Sequence, residues 1–343
     1  MRRCDLSVDP RASLALRRRR GRPVPPDELA ASLEMTSAEL AAVTAALSAA
    51  GFVVELHPML GLRLVEPPAA LRAEEIAWNL RTGRVGRRVR CVGTTASTND
   101  LAWDAAARGR GEADGLTVFA EYQSGGRGRR GSRWLAPPHT SLLCSVVLWV
   151  APSATRSAAL TRGAAVAAAE AIEEQCGLSV GIKWPNDIIV EDRKVGGILV
   201  EARPGARGAS PVVLGIGLNC RQRPEAFPPD IRESVASLAM CGAEVDRTLL
   251  ARSLLERLDR TCAGEGGSER AEEIRREAAR RCCTLGRRLT LLEGDATYCG
   301  EVVALDADYA LVLRLVDGGL RRFSAMTAHV VGGGRPTGPE KST

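Results

Sequence analysis

Apolar positions follow two rhythms along this chain, and the rhythms divide it. The helical one comes first. Asp27 to Leu33 reads as a short helix behind Pro25-Pro26. Thr36 and Glu39 form T-x-x-E, a capping box. Leu40, Val43 and Leu47 follow at helical spacing until Gly51 stops the helix. FVVELHPMLGLRLVE then predicts two strands around a turn, and Pro67-Pro68 opens a linker. Residues 70–281 read as one α+β domain. Strands are predicted at 88–92, 116–122, 142–150, 178–183, 187–191, 195–202 and 211–218, and helices at 98–108, 155–176, 245–262 and 268–281. Between 178 and 218 the strands are joined by short turns, which predicts an antiparallel meander rather than an alternating β-α-β series. Residues 282–331 return to short strands punctuated by Gly and Asp, a small all-β module, and 332–343 form a tail.

Helix, short turn, helix and hairpin over 24–66 is the outline of a winged helix-turn-helix, whose second helix can enter a DNA major groove. Its outward positions are Ser37, Ala38, Ala41, Ala42, Thr44, Ala45, Ser48 and Ala49. None is Arg, Lys, Asn or Gln, the side chains that read base edges. The shape suits DNA and the chemistry argues against sequence reading; an interaction domain of the same shape is the alternative.

Length and charge refine the picture. At 343 residues, 45% apolar and 26% charged, the chain is globular and long enough for two or three domains. Its apolar runs, such as Leu142 to Ala151, are too short for a bilayer. MRRCDLSVDP has no apolar run behind its arginines, so a cytoplasmic protein is expected. The net charge of +6 is concentrated in residues 1–22, with eight Arg and two Asp, and the remaining chain is balanced. Residues 1–23 are therefore expected to be a solvated, disordered Arg-rich leader. Ten cysteines without a C-x-x-C, and only three histidines, exclude zinc spacings and suggest reduced core thiols.

Four stretches carry chemistry. EYQSGGRGRRGSRW (121–134) holds Gly126-x-Gly128-x-x-Gly131, but no amphipathic helix follows and no Gly-Lys-Ser/Thr ends it. It is thus neither a dinucleotide fingerprint nor a Walker loop. What remains is a glycine loop holding Arg127, Arg129, Arg130 and Arg133, suited to a polyphosphate or acyl phosphate. Lys183-Trp184-Pro185-Asn186-Asp187 sets a lysine against apolar surface at a strand end, which implies an anionic partner; the plainer reading is a turn with an exposed lysine. Gly215-x-Gly217 in a strand lets a ligand approach the backbone, or marks a bulge. Ser97-Thr98-Asn99-Asp100 opens a helix as cap residues.

Taken together, STND, EYQSGGRGRRGSRW, KWPND, KVGGILVEA and GIGLN resemble the bacterial biotin protein ligases in order and spacing over 88–220. With the winged-helix-like front and the β module behind, the architecture is similar to the bifunctional ligase-repressor subclass. The resemblance implies a class II synthetase-like mixed-sheet catalytic domain and an SH3-like C-terminal barrel. It implies that biotin and ATP-Mg2+ are joined to biotinyl-5′-AMP, and that biotin then passes to a lysine of the biotin carboxyl carrier protein of acetyl-CoA carboxylase. By motif position, Ser97, Thr98, Asn99 and Gln123 would bind the ureido ring. Arg127, Gly128, Arg129 and Arg130 belong to a loop that orders over the adenylate. Lys183 would hold the biotin carboxylate and the bridging phosphoryl oxygen, and Gly215 and Gly217 would line the ligand. Trp134 would stack on adenine, Asn219 would bond to it, and Asp187 would help deprotonate the acceptor lysine. The resemblance leaves open a homodimer, a biotin-operon repressor using the adenylate as corepressor, and a lipoyl or octanoyl ligase or transferase.

Overall fold

The computed structural model describes residues 8–150, 154–203, 209–263 and 268–333. The expected tail over 332–343 lies, from 334 on, outside the described residues, as do residues 1–7 of the expected leader.

Three helices and a hairpin form the N-terminal unit: α1 (Pro10–Arg18), α2 (Pro26–Ser32), α3 (Ser37–Ala49), β1 (Val53–His57) and β2 (Gly61–Glu66). The capping box on α3 is made: Thr36 Oγ1 accepts from the Glu39 amide at 3.3 Å, and Glu39 accepts from the Thr36 amide at 2.8 Å. The disordered leader expected over 1–23 is corrected by α1. Asp9 caps it by accepting from the Arg11 amide, and Pro10 stands in its first turn. Ala12 and Leu16 then join Leu29, Leu40, Leu47, Phe52, Leu62 and Leu64 in a small core. Arg17 is buried against both oxygens of Glu75, at 2.8 and 3.1 Å, and reaches Asp246 at 2.8 Å.

Between the units, α4 (Ala73–Ala77) leads into a seven-stranded mixed sheet. Its strands are β3 (Arg88–Thr95), β4 (Leu116–Gln123), β5 (Ser141–Val150), β6 (Gly181–Lys183), β7 (Asp187–Val190), β8 (Arg193–Ala202) and β9 (Ser210–Asn219), in the order β3-β4-β5-β9-β8-β7-β6. Only β3 and β4 are parallel; the others form the expected antiparallel run. Helices α5 (Thr98–Ala106) and α6 (Arg110–Ala113) precede β4, α7 (Ala154–Cys176) follows β5, and α8 (Arg247–Leu258) and α9 (Ser268–Arg281) follow β9.

Strand alternation decides which residues face what. On β9, Leu214, Ile216 and Leu218 join the main core with the alanine-rich α7, whereas Val213 packs with Ala102, Trp103 and Ala106 of α5. Gly215 and Gly217 share the parity of Val213, so they open the α5 face of the sheet. Behind α9, β10 (Arg288–Glu293), β11 (Ala296–Leu305), β12 (Leu311–Leu315), β13 (Leu320–Phe323) and β14 (Ala328–Gly333) form an antiparallel sheet ordered β13-β12-β11-β10-β14. It is fastened to the central sheet at Trp184, whose indole donates to the Tyr309 carbonyl at 2.8 Å and whose amide donates to Thr284 Oγ1 at 3.0 Å.

Candidate active site

A cavity of about 360 Å3 lies on the α5 face, between the first turn of α5, the glycine loop, strands β8 and β9, and strand β14. One end of it is polar and uncharged. Ser97 caps α5, accepting from the Asn99 amide at 3.2 Å. Gln123, ending β4, accepts at Oε1 from the Thr98 amide at 2.7 Å and from the Thr98 hydroxyl at 3.0 Å. Ser145 Oγ lies 2.7 Å from Thr98 Oγ1 and 2.5 Å from Asn99 Oδ1. This chain of four side chains fixes the Asn99 amide and leaves its buried Nδ2 without a partner. A buried donor without a partner costs about 1–3 kcal/mol, and a ligand carbonyl would remove that cost.

The floor is bare because of two glycines. A Cβ at Gly215 would stand 2.5 Å from Asn99 Oδ1, and one at Gly217 would stand 2.7 Å from the Trp134 ring. Gly217 pairs across the strands with Gly197, and the indole of Trp134 lies against both. Its Nε1 is buried and unpartnered.

The other end is cationic. Lys183 and Lys194 both line it, with Asp187 between them in sequence. Lys183 is exposed, because β6 is the sheet edge and alternation buries its neighbours Ile182 and Trp184 instead. The apolar setting expected around Lys183 is thereby corrected. Lys194 is the more enclosed cation: Nζ is 2.6 Å from Asp187 Oδ1 and 6.0 Å from the Trp134 ring centroid. The glycine loop folds as a tight hairpin, with Gly128 donating to the Ser132 carbonyl and Trp134 to that of Gly126. From it Arg129 donates to Asn186 Oδ1 at 3.2 Å and to the Ala325 carbonyl at 2.5 Å, and Arg130 donates to the Ala328 carbonyl at 3.1 Å. Burial, followed by the like charge of Arg130, pushes the Arg129 guanidinium below its ordinary value, against the pull of Asp187. An anion is what such a group lacks.

The structure thus brings Ser97, Thr98, Asn99, Gln123, Arg127, Gly128, Arg129, Arg130, Trp134, Lys183, Asp187, Gly215 and Gly217 to one cavity. Asn219 is a correction. It is buried outside the lining, its Nδ2 donating to the Ala236 carbonyl and its Oδ1 accepting from Gln222, so its amide is engaged by the fold and not aimed into the cavity. Arg127 points its charge away from the ligand space, at Asp100 and Glu201.

Lys194, Asn186 and His329 are lining residues that motif reading passed over. For Lys194 a signal was present. The chain holds 44 arginines and three lysines, and two of those three line this cavity. An ammonium kept against such a bias marks a position where a compact charge is required and a planar fork is not. A lone histidine on a strand gave no comparable signal for His329.

Residues 93–219 match the model of the Biotin/lipoate A/B protein ligase family. The chain is 32% identical over 206 residues to the bifunctional ligase/repressor BirA of Bacillus subtilis, covering 60% of this chain and 63% of that one. It is 31% identical over 234 residues to the BirA of Escherichia coli, covering 68% and 70%. The matched segment thus spans just under two thirds of the Bacillus protein. Among solved structures, the biotin protein ligase of Aquifex aeolicus in complex with biotin and ATP aligns with a TM-score of 0.55 at 22% identity, over 71% of this chain and 98% of that one, a likeness of fold.

Proposed function

This chain belongs to the Biotin/lipoate A/B protein ligase family, and on that premise we propose that it is an ATP-dependent biotin–protein ligase. It joins biotin to AMP and passes the biotin to a lysine of a biotin carboxyl carrier protein. One observation carries the reading: a single cavity has a neutral hydrogen-bonding end with an unpaired amide donor at Asn99, and a cationic end at Lys183, Lys194 and Arg129. A neutral cyclic urea bearing a carboxylate tail has that polarity.

In the first step a biotin carboxylate oxygen attacks the α-phosphorus of ATP. The bond to the bridging oxygen breaks, and pyrophosphate leaves with the electron pair. Two anions must meet, so the work of the protein is to position them and neutralise their charge. Lys194 has three N–H donors and spends one on Asp187; the others suit the carboxylate and a phosphoryl oxygen. Lys183, at the exposed rim, suits the outer phosphates. Mg2+ would arrive with ATP and keep the phosphates as its main ligands. Among the described residues no group of three or more His, Cys, Asp or Glu could hold a metal ion, and Asp187 is the lining carboxylate it would turn to. In the second step the carrier amine attacks the acyl carbon, the acyl–oxygen bond breaks and AMP departs. Asp187 would take the proton of that amine.

We read the N-terminal unit as winged-helix-like and the β10–β14 module as SH3-like, from strand order and helix-hairpin outline. The outward face of α3 remains Ser and Ala with Glu39, which argues against repression through base reading. No helix among the described residues is long and apolar enough to cross a membrane. The nine described cysteines are unpaired, which suits a reducing cytoplasm.

Purified protein with ATP-Mg2+, labelled biotin, labelled lipoate and a biotin carrier domain tests the reading. Biotin-dependent pyrophosphate release and label on the carrier are expected; preference for lipoate would overturn it. A companion test is Gly215→Ala. Its Cβ must displace Asn99, so biotin should bind about tenfold more weakly, the value of one hydrogen bond. Calorimetric titration at unchanged Tm measures this, and unchanged affinity would remove Asn99 from the ureido site.

A further inference from the structure

Arg127 leaves the base of the glycine loop and turns to the outside of α5. Its Nη atoms bond both oxygens of Asp100, at 3.1 and 2.7 Å, and its Nε lies 3.4 Å from Glu201 on β8. The other oxygen of Glu201 accepts from the indole of Trp103 at 2.8 Å, and Arg203 stacks on that indole at 4.1 Å. One guanidinium therefore ties three pieces together: the loop, the helix whose first turn carries Thr98 and Asn99, and the strand that begins with Arg193 and Lys194. The far end of the loop is held differently, by Arg129 and Arg130 on carbonyls of the C-terminal module.

The fastening at the base is an exposed ion pair. Arg127 and Asp100 are 40% and 43% exposed, so water competes for them and the pair can open and close readily. A loop that must admit ATP and then shut over a reactive anhydride needs a fastening of that kind at its base.

We propose that Asp100, with Glu201, is a latch for the glycine loop, and that Arg127 is the bolt rather than a phosphate ligand. Asp100 and Glu201 are positioning residues: they act through Arg127 to keep the loop shut over the activated biotin. This rests on the ligase reading above. The consequence is specific. Biotinyl-AMP reacts with any amine that reaches it: a C–N bond forms, the acyl–O bond breaks, AMP leaves and the amine proton passes to water. An open latch admits bystander amines while leaving adenylate formation in place.

The full chain is assayed with biotin and ATP-Mg2+ for pyrophosphate release and, in parallel, for biotin on serum albumin. Tryptic cutting after the loop arginines, without ligands, gives a readout independent of activity. Asp100→Asn and Arg127→Ala should each raise albumin labelling per pyrophosphate released, and the rate of loop cutting, by about three- to fivefold, the yield of a half-exposed ion pair of about 0.7–1 kcal/mol. The double variant should exceed neither single one. The exchange Asp100→Arg with Arg127→Asp should return both readouts toward wild type. If Arg127 instead binds phosphate, Asp100→Asn releases it for that role. Labelling then stays at the wild-type level and the KM for ATP falls, which would overturn the latch. Loss of biotin-dependent pyrophosphate release from the wild type, with cutting still faster in Asp100→Asn, would strike the ligase reading and leave the latch on the loop intact.

Discussion

Lys194→Ala is expected to lower biotin-dependent pyrophosphate release by about 10²–10³-fold, the loss typical of removing one donor aimed at developing charge. Lys194 is one-third exposed but is held by Asp187 beside Trp134 and Gly197, so its ammonium lines the cavity as a fixed charge that a mobile water replaces poorly. Removing it also leaves Asp187 facing the incoming carboxylate with no cation between them, and two carboxylates at close range repel. Lys194→Arg should rescue little, because a broad planar fork does not fit where a compact ammonium bonds Asp187 at 2.6 Å. Lys183→Ala is the control. At the exposed end of β6 its charge is largely screened, and about fivefold or less is expected. Rates from a pyrophosphate-coupled assay at saturating ATP decide between them. A larger loss at Lys183 than at Lys194 would reverse the assignment of the two lysines.

The contrast between these lysines shows what the sequence carries and what it withholds. Motifs are local, and the elements that hold them were legible locally: the cap at Ser97, the strand ending at Gln123 and the strand 210–219 follow from cap chemistry and period-2 patterning. Which face of a strand meets the ligand depends on sheet order. β5 pairs with β9, seventy residues away in the register Ser145↔Gly215, and that pairing sets Ser145 beside Asn99. Nothing near Ser145 in sequence announces the contact. Lys183 lies in the more conspicuous motif, yet the edge position of β6 exposes it, while β8 carries Lys194 inward. Asn219 follows two ligand-facing glycines, but two residues past the cavity, at the end of β9, its amide is bonded to Ala236 and Gln222. Arg127 illustrates the same limit: a glycine loop rich in arginine reads as a phosphate cradle, and only the position of α5 reveals Asp100 as its partner.

Among the described N-terminal arginines, Arg17 departs from the solvated charge expected there for a related reason, while Arg11, Arg18, Arg19, Arg20 and Arg22 are exposed. Net charge describes solvation on average and is silent about one buried partner. Arg17→Ala is therefore expected to destabilise the protein by about 3–5 kcal/mol, the range for breaking a buried ion pair by removing one member. Glu75 is fully buried, Arg17 is 3% exposed, and Asp246 also caps α8 through the amides of Thr248 and Leu249. Without Arg17, the buried Glu75 carboxylate loses the partner that bonds both its oxygens, and a buried charge stripped of its partner costs stability. The loss should be greater than for a nearby exposed pair, such as Arg19 at the end of α1 with Glu28 of α2 at 45% and 53% exposure, where less than 1 kcal/mol is expected. Replacing both partners by apolar groups, as in Arg17→Met with Glu75→Leu, should recover most of the loss, since no buried charge is then stranded. Urea unfolding followed by tryptophan fluorescence measures Arg17→Ala, Arg17→Met, the double variant and Arg19→Ala. A loss under about 1 kcal/mol for Arg17→Ala would mean that α1 is held to the rest of the chain by Ala12, Leu14 and Leu16 alone. The double variant separates the two explanations: if Arg17 matters only by packing over Phe52, 5.4 Å from its guanidinium, replacing Glu75 by an apolar residue adds nothing to Arg17→Met.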